Sequence, residues 1–181
     1  AKEEKMTLKD ILEKHEKGVV YRHLVDWAPL YPVIIDRRGD VLSFPPIING
    51  ELTRVSSSTE NLFIDVTGPD LPSVDKSLNI LTAALKDMGG TLETVRIEYP
   101  NKTLVTPDLS VQKRRLNVRY ANRLLGLKLT KEEAARCLRK CRLDAEPLTP
   151  NILEVSIPPY RVDILHEVDL VEEVAIGYGY Y

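Results

Sequence analysis

Chain breakers, more than any hydrophobic run, limit what this sequence can fold into. Pro45-Pro46, Gly68-Pro69, Gly89-Gly90, Pro107, Gly126, Pro150 and Pro158-Pro159 divide the 181 residues into short stretches. Proline fixes φ and lacks an N–H, and glycine ends helices and strands cheaply, so each pair punctuates the chain. No apolar run reaches the roughly 18 to 20 residues that a membrane span needs. The Lys/Glu-rich start is not expected to be a secretory signal. What fits between the breaks is a set of short elements whose hydrophobic period switches between 3.6 and 2.

Thr7 with Asp10 reads as a capping box, and Leu8, Ile11, Leu12 and His15 follow a helical stripe. The spacing predicts a helix over 7–17, stopped by Gly18, with His15 packed rather than liganding. Val33-Ile34-Ile35 enters a polar turn at 36–40. Leu62-Phe63-Ile64-Asp65-Val66-Thr67 is predicted to be a strand that carries Asp65 and Thr67 on one face. Those two side chains would serve a site, or simply close a turn at Gly68-Pro69. Ser73 is expected to cap a helix over 74–88, ended by Gly89-Gly90. Strands follow at 91–99 and 103–106. After Pro107-Asp108 come helices at 117–125 and 130–141, the second with a Thr130/Glu133 capping box. Strands at 143–147 and 152–157 precede a last helix over 164–176, with Leu165, Val168, Val171 and Ala175 inward. The fold class is therefore α+β: a mixed unit over residues 1–108, then a small winged-helix-like domain over 109–181.

Net charge carries information only when divided along the chain. Residues 1–108 hold 13 Lys/Arg against 17 Asp/Glu, residues 109–150 hold 11 against 4, and residues 151–181 hold 1 against 6. A basic block is thus followed by an acidic end. Lys113, Arg114, Arg115, Arg119, Arg123, Lys128, Arg136, Arg139, Lys140 and Arg142 would form a phosphate-facing surface, or a solvated face neutralised by the acids. Cys137 and Cys141 are too few for a structural zinc site and read as free thiols of a reducing cytoplasm.

The acids are clustered. Asp169, Glu172 and Glu173 share one helix face at i, i+3 and i+4, and Asp163 stands at the helix mouth. Like charges so close repel unless a cation relieves them, and Mg2+ with oxygen ligands would do so. An acidic outer face, or neutralisation by Arg114, Arg115 or Arg119, would serve equally on pattern alone.

Residues 157–179, Ile-Pro-Pro-Tyr-Arg-Val-Asp-Ile-Leu-His-Glu-Val-Asp-Leu-Val-Glu-Glu-Val-Ala-Ile-Gly-Tyr-Gly, resemble the end of the B5 domain of phenylalanyl-tRNA synthetase β subunits. The family pattern of Pro-x-aromatic-Arg-x-Asp-Ile, then Asp-Leu-(Ile/Val)-Glu-Glu, then Gly-Tyr-Gly is present in order. Residues 39–50 and 62–68 resemble the B3/B4 editing domain of the archaeal/eukaryotic branch, so 1–108 is read as its C-terminal part. The whole reads as an internal fragment of a far longer subunit.

The resemblance implies a good deal beyond the residues themselves. Asp163, Asp169, Glu172 and Glu173 would help hold Mg2+. Asp65 and Thr67 fit the family's Asp-x-Thr strand, with Ser43 and Asn49 on the polar wall of the editing pocket. The parent enzyme would be a cytoplasmic heterotetramer with an α subunit, joining phenylalanine to tRNA(Phe) with ATP and hydrolysing mischarged Tyr-tRNA(Phe). The fragment itself holds no machinery for the joining step: there is no P-loop and no Ser-x-x-Lys or Gly-x-Ser-x-Gly nucleophile motif. A structural or docking segment at the subunit interface, without activity of its own, is the reading from another class.

Overall fold

The computed structural model describes residues 5–180. These divide into two compact units, one ending at Thr67 and the other starting at Gly68.

In the first unit, helix α1 (Leu8–Lys14) opens on the expected capping box: the Asp10 backbone N–H donates to Thr7 Oγ1, and the Thr7 backbone N–H donates to the Asp10 carboxylate. The predicted single helix is in fact two. His15 leaves the helical region at ψ 136, and its Nδ1 accepts from the Lys17 backbone N–H to start α2 (Glu16–Tyr21). Gly18 does not stop a helix; it lies buried inside α2. A Cβ there would fall 1.8 Å from the Ile11 carbonyl oxygen, so only glycine lets the two helices approach this closely.

A three-stranded antiparallel sheet follows, β1 (Ile34–Ile35), β2 (Val41–Phe44) and β3 (Ile48–Asn49) in that order. The 36–40 turn is built as expected: the Asp36 carboxylate accepts from the Arg38 and Asp40 backbone N–H groups, and Gly39 sits at φ 91. The small core gathers Leu12, Val25, Phe44 and Ile47.

The predicted strand at 62–67 is absent. Those residues run without regular hydrogen bonding, and Leu62 and Phe63 are more than half exposed. Alternating β-branched and aromatic residues make a strand only when a neighbour accepts their backbone groups, and no described strand lies against them.

The second unit begins with α3 (Leu71–Asp87), three residues earlier than predicted. Asp70, not Ser73, is its cap, accepting from the Ser73 N–H. Gly89 at φ 98 and a bond from the Gly90 N–H to the Leu85 carbonyl close it. Strands β4 (Val95–Tyr99) and β5 (Lys102–Thr106) form an isolated two-stranded hairpin. Leu81 of α3 and Met88 at its C-cap are exposed, as is every residue of β4.

The main core lies further along. Strand β6 (Gln112–Asn117) was not foreseen from sequence. It pairs with β8 (Ile152–Ile157), which pairs in turn with β7 (Asp144–Thr149), giving the antiparallel order β6–β8–β7. Helices α4 (Val118–Leu125), α5 (Lys131–Lys140) and α6 (Glu167–Tyr178) cover one face. Asn117 caps α4, Gly126 ends it at φ 68, and the Thr130/Glu133 box starts α5 as expected. The Asn122 amide brackets the connecting loop, exchanging two 2.8 Å bonds with the Leu129 backbone. Leu116, Leu138, Leu143, Leu153, Val155, Leu170 and Val174 are fully buried together.

Helix α6 buries Val171 of the predicted stripe but turns most of that stripe away from the core. Leu170, Val171, Val174 and Gly177 point inward, whereas Leu165 and Val168 are half exposed. The predicted stripe began at Leu165, two residues before the helix does, so its phase was set by a residue of the preceding loop. Gly177 is the contact point with α5: a Cβ would fall 2.1 Å from the Cys137 carbonyl oxygen. Cys137 and Cys141 are free, as expected, and burial pushes both thiols up from their ordinary value.

Gly177→Ala is expected to lower stability by about 1–3 kcal/mol through overpacking against the α5 backbone. The sign opposes the usual helical preference for alanine of about 1 kcal/mol; a drop in the urea midpoint at constant slope checks it.

The helix caps set an acid limit. Ser73 hydrogen bonds hold the Asp70 carboxyl below its ordinary value, and Thr130 does the same for Glu133. Because the folded value is the lower one, this contribution is complete above the unfolded value and disappears as pH falls through the folded one. The melting temperature is expected to be flat from pH 7 to about 5 and to fall below about pH 4. The fall should be shallower in an Asp70→Asn/Glu133→Gln variant.

Candidate functional site

The acidic motif is organised by a cation within it. After β8, Pro158-Pro159 turns the chain, with the Arg161 N–H donating to the Pro158 carbonyl. The Arg161 side chain, one fifth exposed, is aimed back at α6. Its Nη2 lies 2.6 Å from Glu173 Oε1 and 2.6 Å from Asp163 Oδ2, its Nε donates to Asp163 Oδ1 at 2.9 Å, and its Nη1 reaches Glu173 Oε2 at 3.3 Å. Nη1 also donates to the Cys141 carbonyl at 3.4 Å, at the end of α5. A planar guanidinium matches carboxylates bidentately in this way. The Arg161 bonds hold the Asp163 carboxyl below its usual range, and the two acids push the arginine up.

The other two acids have separate fates. Asp169 Oδ2 accepts from the Leu165 and His166 backbone N–H groups, both at 2.7 Å, satisfying donors that a helix start leaves orphaned. Those bonds lower its pKa. Glu172 is exposed on the next turn.

All four oxygens of Asp163 and Glu173 therefore already face Arg161, and Asp169 is committed as a cap. Among the described residues, no three His, Cys, Asp or Glu side chains converge to hold a metal ion. In this arrangement the four carboxylates do not fit one octahedral Mg2+ site, which would have to displace a guanidinium. Nor do Arg114, Arg115 or Arg119 neutralise them.

The polar wall residues meet in the first unit. Ser43 and Asn49 are cross-strand partners on β2 and β3, and buried Ser43 donates to Asn49 Oδ1 at 3.0 Å. Asp65 and Thr67 are exposed on the unpaired 62–67 segment and make no side-chain hydrogen bond or ion pair among the described residues.

The basic block is dispersed. Arg139 donates to the Ala145 carbonyl, Lys140 to the Gly177 carbonyl at 2.8 Å, and Arg136 lies beside Glu133. Lys113, Arg114 and Arg115 line an open cleft with Glu154 and Glu167.

Residues 114–180 match the family model of the tRNA synthetase B5 domain. The chain is 48% identical over 178 residues to the phenylalanine–tRNA ligase β subunit of Methanothrix thermoacetophila, covering 98% of this chain and 33% of that protein. It is also 48% identical to the Methanocaldococcus jannaschii β subunit, covering 98% of this chain and 32% of that one. The crystal structure of an N-terminal fragment of the phenylalanyl-tRNA synthetase β subunit from Pyrococcus horikoshii superposes with a TM-score of 0.94 at 42% identity, over 98% of this chain and 51% of that one. The chain belongs to the phenylalanine–tRNA ligase β-subunit family. It spans about a third of the length of the curated relatives it matches.

Sequence reasoning identified this family's acidic motif but passed over Arg161, the residue that organises it. The signal was present: the same motif places an arginine two residues before Asp163.

Arg161→Met is expected to destabilise the chain by about 2–4 kcal/mol, because it leaves the nearly buried Glu173 carboxylate without a counter-charge, beside an exposed Asp163. Arg161→Lys should fall between, retaining charge without the fork. Millimolar magnesium should leave the wild-type melting temperature unchanged. A magnesium-dependent rise that Asp169→Asn abolishes would restore the cation reading.

Proposed function

We propose that this chain serves in a phenylalanine–tRNA ligase β subunit and, in partnership with an α subunit, supports ATP-dependent attachment of phenylalanine to tRNA(Phe). The observation that carries this reading is the 48% identity to β subunits along 98% of the chain. The attachment chemistry lies outside these residues, in the partner subunit. Magnesium would act as an ion of the parent reaction with ATP. No helix of the described residues is long and apolar enough to cross a membrane, and we place the enzyme in the cytoplasm.

The first unit supports a second role, hydrolytic editing of Tyr-tRNA(Phe). Cleaving an ester needs a positioned water and donors for the developing oxyanion. Ser43 spends its hydroxyl proton on Asn49 Oδ1, which orients the amide and leaves both Asn49 Nδ2 protons for a substrate oxygen. Asp65, without a hydrogen-bond or ion-pair partner among the described residues, is an acceptor for a phenol or an ammonium group. A site built around one hydroxyl separates tyrosine from phenylalanine by several orders of magnitude. Thr67, on the same segment, would have to be brought to the pair together with Asp65.

A docking role is favoured by one specific observation. Trp27, Leu30, Leu62 and Phe63 of this unit are all more than half exposed, the kind of apolar surface that marks an interface.

The deciding measurement is tyrosine release from Tyr-tRNA(Phe) by the chain, with Asp65→Ala beside it. Release above the spontaneous rate, reduced about tenfold or more in the variant, is the expected result. Release equal in both would remove Asp65 from the site. No release and no retention of tRNA on a filter would leave docking as the function.

A further inference from the structure

We propose that the outer edge of β6, at Arg114 and Arg115, is an oxyanion site that seats the phosphate backbone of an RNA strand. The inference rests on the reading of the chain as part of a tRNA ligase, and deepens it by naming a contact surface.

The first observation is an unsatisfied donor. Arg114 Nε is buried and has no hydrogen-bond partner. A desolvated N–H without an acceptor is costly, and an incoming oxygen would relieve it. The second is the state of the surrounding charges. The cleft of about 470 Å³ at this edge is lined by Lys113, Arg114, Arg115, Glu154 and Glu167. Both acids are already engaged: Glu154 lies 3.3 Å from Lys113, and Glu167 Oε1 accepts from the Asn117 N–H at 2.6 Å. Arg114 and Arg115 make no ion pair among the described residues; as neighbours on an edge strand they face opposite sides of the sheet, so each leaves a guanidinium for a separate phosphate oxygen along that edge.

Topology decides the direction of the ligand. Strand β6 is the edge of its sheet. Moving inward from Lys113 and Arg115, the register meets Ser156 and Glu154 on β8, then Asp144 and Glu146 on β7. A polyanion crossing the sheet would meet the carboxylates of Asp144 and Glu146 as well, whereas one running along β6 meets only Glu154 and Glu167, both already engaged. The cationic line continues directly from β6 into α4, where Arg119 and Arg123 are both exposed and share a helix face at i, i+4. A line of cations this long suits a ligand with repeated negative charges better than a single carboxylate, and Arg139 and Lys140 of the same basic block are spent on backbone carbonyls.

The test is fluorescence anisotropy of a labelled tRNA(Phe) transcript with the whole chain, titrated in potassium chloride from about 50 to about 300 mM. An Arg114→Gln/Arg115→Gln variant is expected to lose affinity about tenfold or more at low salt. The slope of log K against log salt should become shallower by about 1.5, since each phosphate contact contributes about 0.7–0.9. Arg136→Gln, on α5 beside Glu133, should leave the slope unchanged. If Arg114→Gln fails to fold by circular dichroism, Arg115→Gln alone carries the test with a slope change of about 0.8. Wild-type binding with an unaltered slope in the variants overturns this site while leaving the ligase reading intact. Displacement by polyglutamate as effective as by unlabelled tRNA also overturns it, in favour of an acidic protein partner. An absence of tRNA binding by the wild type overturns it as well. Tyrosine release and sequence kinship would still stand or fall on their own.

Discussion

The Arg161 guanidinium ties together three segments that have no covalent reason to meet. It binds the loop after β8 through Asp163, the second turn of α6 through Glu173, and the end of α5 through the Cys141 carbonyl. Without a cation at that point, the nearly buried Glu173 carboxylate would lose its counter-charge and face a second, exposed carboxylate. Two further contacts reinforce the arrangement on the far side: Cys141 Sγ reaches the Glu173 carbonyl, and Lys140 reaches that of Gly177. The α5–α6 crossing is therefore fixed by polar groups at its rim and by the missing Gly177 side chain at its closest point.

The acids of this one motif differ in what they are bonded to. Counting anions on a helical wheel finds Asp169, Glu172 and Glu173 on one face and demands a cation. The required charge is supplied in place, and the members of the cluster do different things. Glu173 is nearly buried and paired, Asp169 is a helix cap, and Glu172 is solvated. Helical spacing says which residues share a face; it does not say which of their lone pairs the backbone and a neighbouring arginine have already taken.

Local chemistry was the most legible part of the sequence. The Thr7/Asp10 and Thr130/Glu133 boxes, the Gly126 terminator and the Asp36 turn all formed as read, because each is satisfied by residues within four positions of one another. Errors arose where a distant partner decides. Strand β6 escaped notice because Lys113-Arg114-Arg115 has little β character by itself; it is a strand because β8 offers it a full ladder and Leu116 an apolar seat. The 62–67 segment has the opposite history: strong β character, and no ladder among the described residues. Of the candidate site, Ser43 and Asn49 came together as cross-strand neighbours, whereas Asp65 and Thr67 depended on the strand that did not form.

The same reasoning separates the two halves of the second unit. Sixteen buried residues hold the sheet β6–β8–β7 and its three helices, so that portion has the apolar burial an independent domain requires. Helix α3 and the β4–β5 hairpin have nothing comparable: Thr82 is the one buried residue of α3, and every residue of β4 is exposed. A lone two-stranded hairpin is marginal in water, and an amphipathic helix derives most of its stability from the face it buries. Asp70 and Gly89 can therefore define where α3 begins and ends, but its apolar stripe contributes fully only when something covers it. The elements richest in local signals are formed in full, and those whose signals are apolar faces stand half-packed.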